Sequence, residues 1–305
     1  MMGKVITMAQ AIGRFVPNGC SVLMGAALES LIPFAAGHEI IRQRRRNLTF
    51  IGPIADILFD QLIGAACASR VIAAWVGNVS AGLAHNYRRA AEAHTPHRLD
   101  IEDHSNFTLS LALLAGALGA PFIPTKTLLG TDLLAGSQSF QQSSDPNTGA
   151  PLVNVQAVTP DVAILQVQRS DHEGNAHCWG NLGVSEEGGL ASRGVIIVAE
   201  EVVSREMVLS DPNRVLVPST KVVAVVHEPW GAHPSPVQGF YGRDHPFYEE
   251  YQLASRTSEG FEQWLKEWTL DVEDRTDYLG RLPQDRLNQL KPSQQRLAAP
   301  VDYGY

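Results

Sequence analysis

Cysteine is scarce in this 305-residue chain: Cys20, Cys67 and Cys178 are the only three, and no two form a CxxC pair. An odd, scattered set excludes a disulfide framework and suits a reducing compartment. No apolar run approaches the roughly 18 residues that a membrane-spanning helix needs, so no membrane partner is expected. The opening stretch, MMGKVITMAQAIGRFVPNG, lacks the apolar core of a signal peptide, and the expected location is the cytoplasm. Positive charge is also short: 24 Lys and Arg stand against 32 Asp and Glu, a formal net charge of −8. Nucleic-acid-binding domains carry clustered basic stripes, and none is visible, so no nucleic-acid partner is expected. The one basic run, RQRRR from Arg42 to Arg46, reads as a solvated helix C-terminus, where cations suit the macrodipole. Its functional alternative is contact with the phosphates of a nucleotide-containing ligand. Walker A, GxSxG and HExxH motifs and internal repeats are all absent.

What is present is an alternation. Short continuous apolar runs (CSVLMGAA, LTFIG, RVIAAWVGN, VTPDVAILQVQ, RGVIIVAEEVV, KVVAVVHEP) are separated by helical patterns such as FAAGHEIIRQ and residues 83–94. Such runs read as strands buried on both faces, and the fold class is α/β with a mostly parallel sheet layered between helices. NFTLSLALLAGALGAPFIPT reads as a helix followed by a strand, and residues 136–151, GSQSFQQSSDPNTGAP, as a polar loop. The domain expected is 1–255, with a C-terminal helical extension over 256–305. In that extension Phe261, Trp264, Leu265 and Trp268 form a stripe that packs on the core or on a partner, and 291–305 is a loosely ordered tail. Ligands gather at the carboxyl ends of strands in open parallel sheets, so Gly25, Gly52-Pro53, Gly77-Asn78 and Gly231 are expected to border one crevice.

Several segments could carry chemistry. SDHEGNAHCWGN, 170–181, holds possible metal ligands, but its spacing fits no helical site and its Gly174-Asn175 pair suits a tight hairpin turn; no metal is expected. VSEEGGL, 184–190, reads as an exposed turn rather than a catalytic carboxylate. In AEEVV, 199–203, one of Glu200 and Glu201 must point inward and be paired, which favours a structural network. LDIEDHSNFT, 99–108, sets acids and amides before an apolar helix: Ser105 or Asp103 is a candidate N-cap, and Glu102 or Asn106 could instead point into the crevice. Composition and spacing go no further than this.

The stretch PWGAHPSPVQGFYGRDHPFYEEY, with FEQWLKEWTLD after it, resembles the C-terminal part of class I CoA-transferase α-subunits of the glutaconate CoA-transferase kind. QRSDHEGNAHCWG followed by VIIVAEEVVS is similar to that family's central signature, and RRNLTFIGP, IEDHSN and ALGAPFIPT fall in the expected order. The resemblance covers residues 4–290. It implies the CoA-transferase layered fold and a β-subunit partner, in an α2β2 or larger assembly, with acyl-CoA and carboxylic acid substrates and no cofactor besides the CoA thioester substrate. It implies that a β-subunit glutamate attacks the thioester, while the α chain shapes the acyl pocket and supplies oxyanion donors. By spacing to LGAPFIP, Asn106 takes the position of an oxyanion-hole glutamine in single-chain relatives, and Glu102 is the second catalytic candidate. In a related ring-opening hydrolase a glutamate takes this position, so asparagine favours transfer.

GAALESLIP, 25–33, departs from the family turn, which runs Gly-Gly-Phe with an arginine before the proline: Ala26, Ala27 and Leu31 stand there, and Glu29 adds an acid. Loss of the arginine removes a carboxylate clamp, so a larger or less charged acyl group than glutaconate is expected. The expected substrate-binding set is Gly25, Ala26, Glu29, Asn78, Ser80, Ser105 and His233, the last on a PWGAHPS turn read mainly as scaffold. The alternatives are a CoA-ester hydrolase, C–C lyase or decarboxylase on this scaffold, and a non-catalytic subunit. A sugar-phosphate isomerase is more distant, because no phosphate cradle is visible.

Overall fold

The computed structural model describes residues 3–292. Its first half is helix α1 (Met8–Phe15), strand β1 (Ser21–Leu23), α2 (Phe34–Arg42), β2 (Leu48–Ile54), α3 (Asp56–Gly64), β3 (Ala68–Trp75), α4 (His85–Ala93), β4 (Asp100–Asp103) and α5 (Asn106–Leu118). There follow β5 (Phe122–Thr125), α6 (Asp132–Gly136), β6 (Phe140–Ser144), β7 (Pro151–Gln156), β8 (Val162–Ser170) and β9 (Ala176–His177). The chain continues through α7 (Ser185–Ala191), β10 (Gly194–Val202), α8 (Arg205–Leu209), β11 (Val222–His227), α9 (His245–Ala254), α10 (Ser258–Leu265), α11 (Arg275–Gly280) and α12 (Gln284–Leu290).

The main sheet has the order β11-β10-β8-β1-β2-β3-β4, all parallel, with β9 folded back antiparallel on β8. Most of its strands are the apolar runs of the sequence, buried because helices cover both faces; the edge strand β4 is the acidic DIED, exposed at both ends. From β1 the chain steps outward to β2, β3 and β4 on one side and to β8, β10 and β11 on the other. This reversal is a topological switch point, where loops at the carboxyl ends diverge and leave room for a ligand.

One face packs against α1, α2, α3, α9 and α10. The other packs against α5, α7 and the 230–241 segment. Phe261, Trp264 and Leu265 of α10 enter the first core; Trp264 meets Tyr251 edge-on at 4.8 Å and Phe247 at 5.9 Å. Of the tail expected to be loosely ordered, 293–305 lies outside the described residues. No described helix is long and apolar enough to cross a membrane.

Two local expectations are corrected. The 136–151 stretch is not all loop: Phe140–Ser144 is β6, an edge strand of a second, antiparallel sheet ordered β5-β7-β6. Only Phe140 of that strand is buried, against Ala112, Val153 and Val155, so its sequence shows no alternation to read. VSEEGGL is not a turn but α7. Its Gly188 lies so close to the sheet that a Cβ there would come within 2.2 Å of Leu23, so the glycine serves helix–strand approach. The Asp171–Asn175 segment is the expected hairpin turn. Gly174 has φ +91, and Asp171 Oδ1 accepts from Glu173 N and Asn175 N, each at 2.9 Å. The basic run is largely absorbed by the fold, with Arg42 on Glu39, Arg45 on Gly13 O and Arg46 on Ala65 O.

Candidate active site

The carboxyl ends of β1, β2 and β3 are drawn together by one buried acid. Asp56 starts α3 with φ +53 and no exposed surface. Its Oδ1 accepts from Val79 N at 3.0 Å, in the turn after β3, and its Oδ2 accepts from Arg243 Nη1 at 2.7 Å. Arg243 Nη2 also donates to the carbonyl of Glu29, in the turn after β1, and the guanidinium lies 4.9 Å from the Tyr248 ring. Burial pushes the Asp56 carboxyl up, against the opposing Val79 N–H and Arg243. Gly25, with φ +67, allows the β1 turn to pass so near β2 that a Cβ would fall 2.6 Å from Ala55 Cα. Sequence reading misses both Asp56 and Arg243, because 187 residues separate them and neither stands in a recognisable motif.

The candidates divide into those the structure leaves available on this face and those it commits elsewhere. Asn106 is the first residue of α5, at the carboxyl end of β4; it is exposed, and its carboxamide has no hydrogen-bond partner among the described residues. Leu109, one turn further on, is buried in the apolar core of this face of the sheet, and α5 lies against β2 and β3. Glu29 is exposed and its carboxylate makes no hydrogen bond among the described residues. The Ala26 side chain is buried, and its carbonyl accepts from Val184 N at 2.8 Å. Ser80 is half-buried, with Oγ 3.0 Å from His245 Nδ1.

The committed residues are Ser105, Asn78, His233 and Glu102. Ser105 is the N-cap of α5 and exchanges bonds with Thr108, as the capping reading expects, so its hydroxyl is taken. Asn78 is 1% exposed; its Oδ1 accepts from Ser80 N and Ala81 N, and its Nδ2 donates to Tyr248 O at 2.8 Å. It builds the turn and ties it to α9 rather than facing a ligand. His233 does not reach the face at all. It is fully buried, with Nδ1 2.9 Å from Tyr278 Oη and Nε2 2.9 Å from Asp244 Oδ2, and burial lowers its pKa to about 4 despite Asp244.

Glu102 is 9% exposed and occupied by three partners. Oε1 accepts from His104 Nε2 at 2.8 Å and Ser139 Oγ at 2.6 Å, and Oε2 from Arg70 Nη2. Burial alone would raise this carboxyl; the His104, Ser139 and Arg70 bonds outweigh burial and hold it down at about 2. A carboxylate so stabilised is a poor base and a poor nucleophile.

Glu200 is the inward member of its pair, while Glu201 is exposed. Glu200 accepts from Gln166 Nε2 at 2.8 Å, Tyr241 Oη at 2.6 Å and Trp230 N at 2.6 Å. Trp230 stacks on Tyr241 at 4.2 Å, and Arg275 holds the carbonyls of Trp230 and His233. The PWGAHPS stretch is therefore a buried brace. Among the described residues, no group of three His, Cys, Asp or Glu side chains is placed to hold a metal ion.

An exposed amide at the start of α5, unpartnered among the described residues and at the carboxyl end of the parallel sheet, is free to donate to a ligand there. The family profile for coenzyme A transferase matches residues 5–228. The chain is 35% identical over 286 residues to the A-type subunit of the 3-oxoadipate CoA-transferase of Pseudomonas knackmussii, over 93% of this chain and 100% of that one. It is similar to the crystal structure of glutaconate CoA-transferase from Acidaminococcus fermentans, with a TM-score of 0.91 and 31% identity over 98% of each chain. It also resembles the decarboxylase AibA/AibB, with a TM-score of 0.75 and 25% identity over 87% of this chain and 100% of that one. The chain belongs to the coenzyme A transferase family and is of its α type.

Proposed function

We propose that this α-type chain works with a β-type partner that supplies the glutamate nucleophile, and that the pair moves CoA from an acyl-CoA to a carboxylic acid in the cytoplasm. The observation that carries this reading is the state of the chain's own carboxylates. Glu102 and Asp56 are buried and saturated, and exposed Glu29 has no hydrogen bond to fix an attack trajectory. Asn106 meanwhile offers an unpartnered amide on an exposed helix start. That state is consistent with the nucleophile that the family likeness puts on the partner, with this chain supplying shape and a donor to the oxyanion.

The thioester carbonyl is attacked by the partner's glutamate, which forms an acyl-glutamyl anhydride and expels CoA thiolate. The thiolate attacks the glutamyl carbonyl and releases the donor acid, and the resulting glutamyl-CoA thioester passes its CoA to the acceptor acid. No cofactor besides the CoA substrate enters these steps. An α2β2 or larger assembly is proposed, since the α-type relatives are single subunits of multi-subunit enzymes. The acyl group is proposed to be less charged than glutaconate: Arg243, which comes to the β1 turn from another segment, is already neutralised by Asp56 and sits beside Glu29.

The test is to purify the chain with its β-type partner, supply a panel of acyl-CoA esters with acetate, and read CoA products by mass spectrometry. Acetyl-CoA formed as the donor acid is released supports transfer, with monocarboxylic donors preferred over dicarboxylic ones. Free CoA, or an acyl-CoA lighter by CO2, contradicts transfer and points to hydrolysis or decarboxylation, as the likeness to AibA/AibB would allow.

A further inference from the structure

We propose that Glu102 and His104 are positioning residues for Asn106, acting through the turn that starts α5. This rests on the reading of Asn106 as an oxyanion donor. The three lie in one short run, yet their environments are opposite: Glu102 and His104 are buried, and Asn106 is exposed. His104 Nε2 faces Glu102 Oε1 at 2.8 Å, so this nitrogen donates to the carboxylate. Nδ1 is buried and without a partner among the described residues. The ring is held edge-on to Phe140 at 5.0 Å.

An apolar side chain would fill this place without an orphaned ring nitrogen, whose burial is unfavourable. What histidine adds is the N–H to Glu102. Through it the last residue before the N-cap is tied to Arg70 of β3 and, via Ser139, to the entrance of β6 in the second sheet. The backbone is fixed at the same point, since His104 N donates to Ala73 O at 2.9 Å and Ser105 closes the capping box with Thr108. Asn106 thus projects from a turn anchored to both sheets. A donor acts on an oxyanion only if it is already in place, and small displacements at a reacting centre carry large rate penalties.

The test is a double-mutant cycle on the complex with the β-type partner. Asn106→Ala is expected to lower kcat about 100-fold, the usual cost of losing one oxyanion donor. Glu102→Gln is expected to lower kcat about tenfold with KM for acyl-CoA changed less than about twofold, as a positioning loss does. The double variant is expected to match Asn106→Ala within about twofold, because the anchor has nothing left to position. Multiplying effects, about 1,000-fold in the double variant, would overturn the inference while leaving Asn106 catalytic. Wild-type kcat in Glu102→Gln would overturn it as well, and an inert Asn106→Ala would remove both the inference and the reading beneath it. Should Glu102→Gln fail to fold, Ser139→Ala removes one donor from the half-buried rim of the network. It enters the same cycle with an expected loss of about threefold, and additivity with Asn106→Ala there counts equally against the proposal.

Discussion

Two buried carboxylates, Glu102 and Glu200, each accept hydrogen bonds from three partners, yet their environments push them in opposite directions. Glu102 is held at about 2 and Glu200 is raised to about 7. Burial is the largest influence on both. The donors differ in kind: Glu102 has a guanidinium in direct contact and a histidine beside it, whereas Glu200 has a phenol, an amide and a backbone N–H, with Arg275 acting only from a distance. Arg70 is also 42% exposed at its side chain, so it lends its charge without being fully desolvated itself. Counting hydrogen bonds does not give the ionisation state; the depth of burial and the kind of donor together do. The anchor beneath α5 is therefore charged at any ordinary pH, while the brace under the 228–241 segment titrates near neutrality.

The comparison breaks most directly at Arg70. Arg70→Met leaves Glu102 buried with the His104 and Ser139 donors alone, and unfolding in urea at pH 7 is expected to show a loss of about 2 kcal/mol, below the figure for a fully buried pair because Arg70 is half-exposed. The loss should shrink toward pH 4, as Glu102 in the variant takes up a proton. A variant as stable as the wild type at pH 7 would show that the pair is ornamental.

Tyr241→Phe sharpens the other half. It removes one of the donors to Glu200, with an expected loss of about 1 kcal/mol that is larger at pH 8, where Glu200 is ionised, than at pH 5. Equal losses at both pH values would mean that Glu200 does not titrate between them. Glu200→Gln is expected to change stability least at low pH, where Glu200 is protonated and glutamine is its nearest neutral replacement. The folded pKa of Glu200, about 7, lies above its ordinary 4.5, so its stabilising contribution is full below about 4.5 and is lost as pH rises through about 7. Melting temperatures of the variant, followed from pH 4.5 to 8, should lack the decline that this group gives the wild type.

The sequence makes most strands of the main sheet visible, because strands covered on both faces are continuous apolar runs; the acidic edge strand β4 reads only as the lead-in to α5. The cap at Ser105 is local chemistry and can be read, and so can the inward turn of one glutamate in AEEVV. The second sheet is only partly visible: β5 reads as a strand after α5, but β6 shows water a polar face, and its identity comes from pairing with β7. His233 looks available in the sequence because it lies among glycines and prolines; its partners Asp244 and Tyr278 are brought to it only by the fold. Glu102 stands out before an apolar helix, but its position gives no hint that Arg70 and Ser139, 32 and 37 residues away, close on it. The family signature carries the functional class, which composition and spacing alone do not.

The most direct measurement is to trap the covalent intermediate. The complex with the β-type partner is mixed with acyl-CoA and no acceptor acid, treated with hydroxylamine, and both chains are mapped by peptide mass spectrometry. A glutamyl-CoA thioester reacts to give a hydroxamate and free CoA. The expected result is a CoA-dependent hydroxamate on one glutamate of the partner and none on this chain, formed more slowly with Asn106→Ala. A hydroxamate on this chain, or CoA released with no modified glutamate on either chain, would contradict the account.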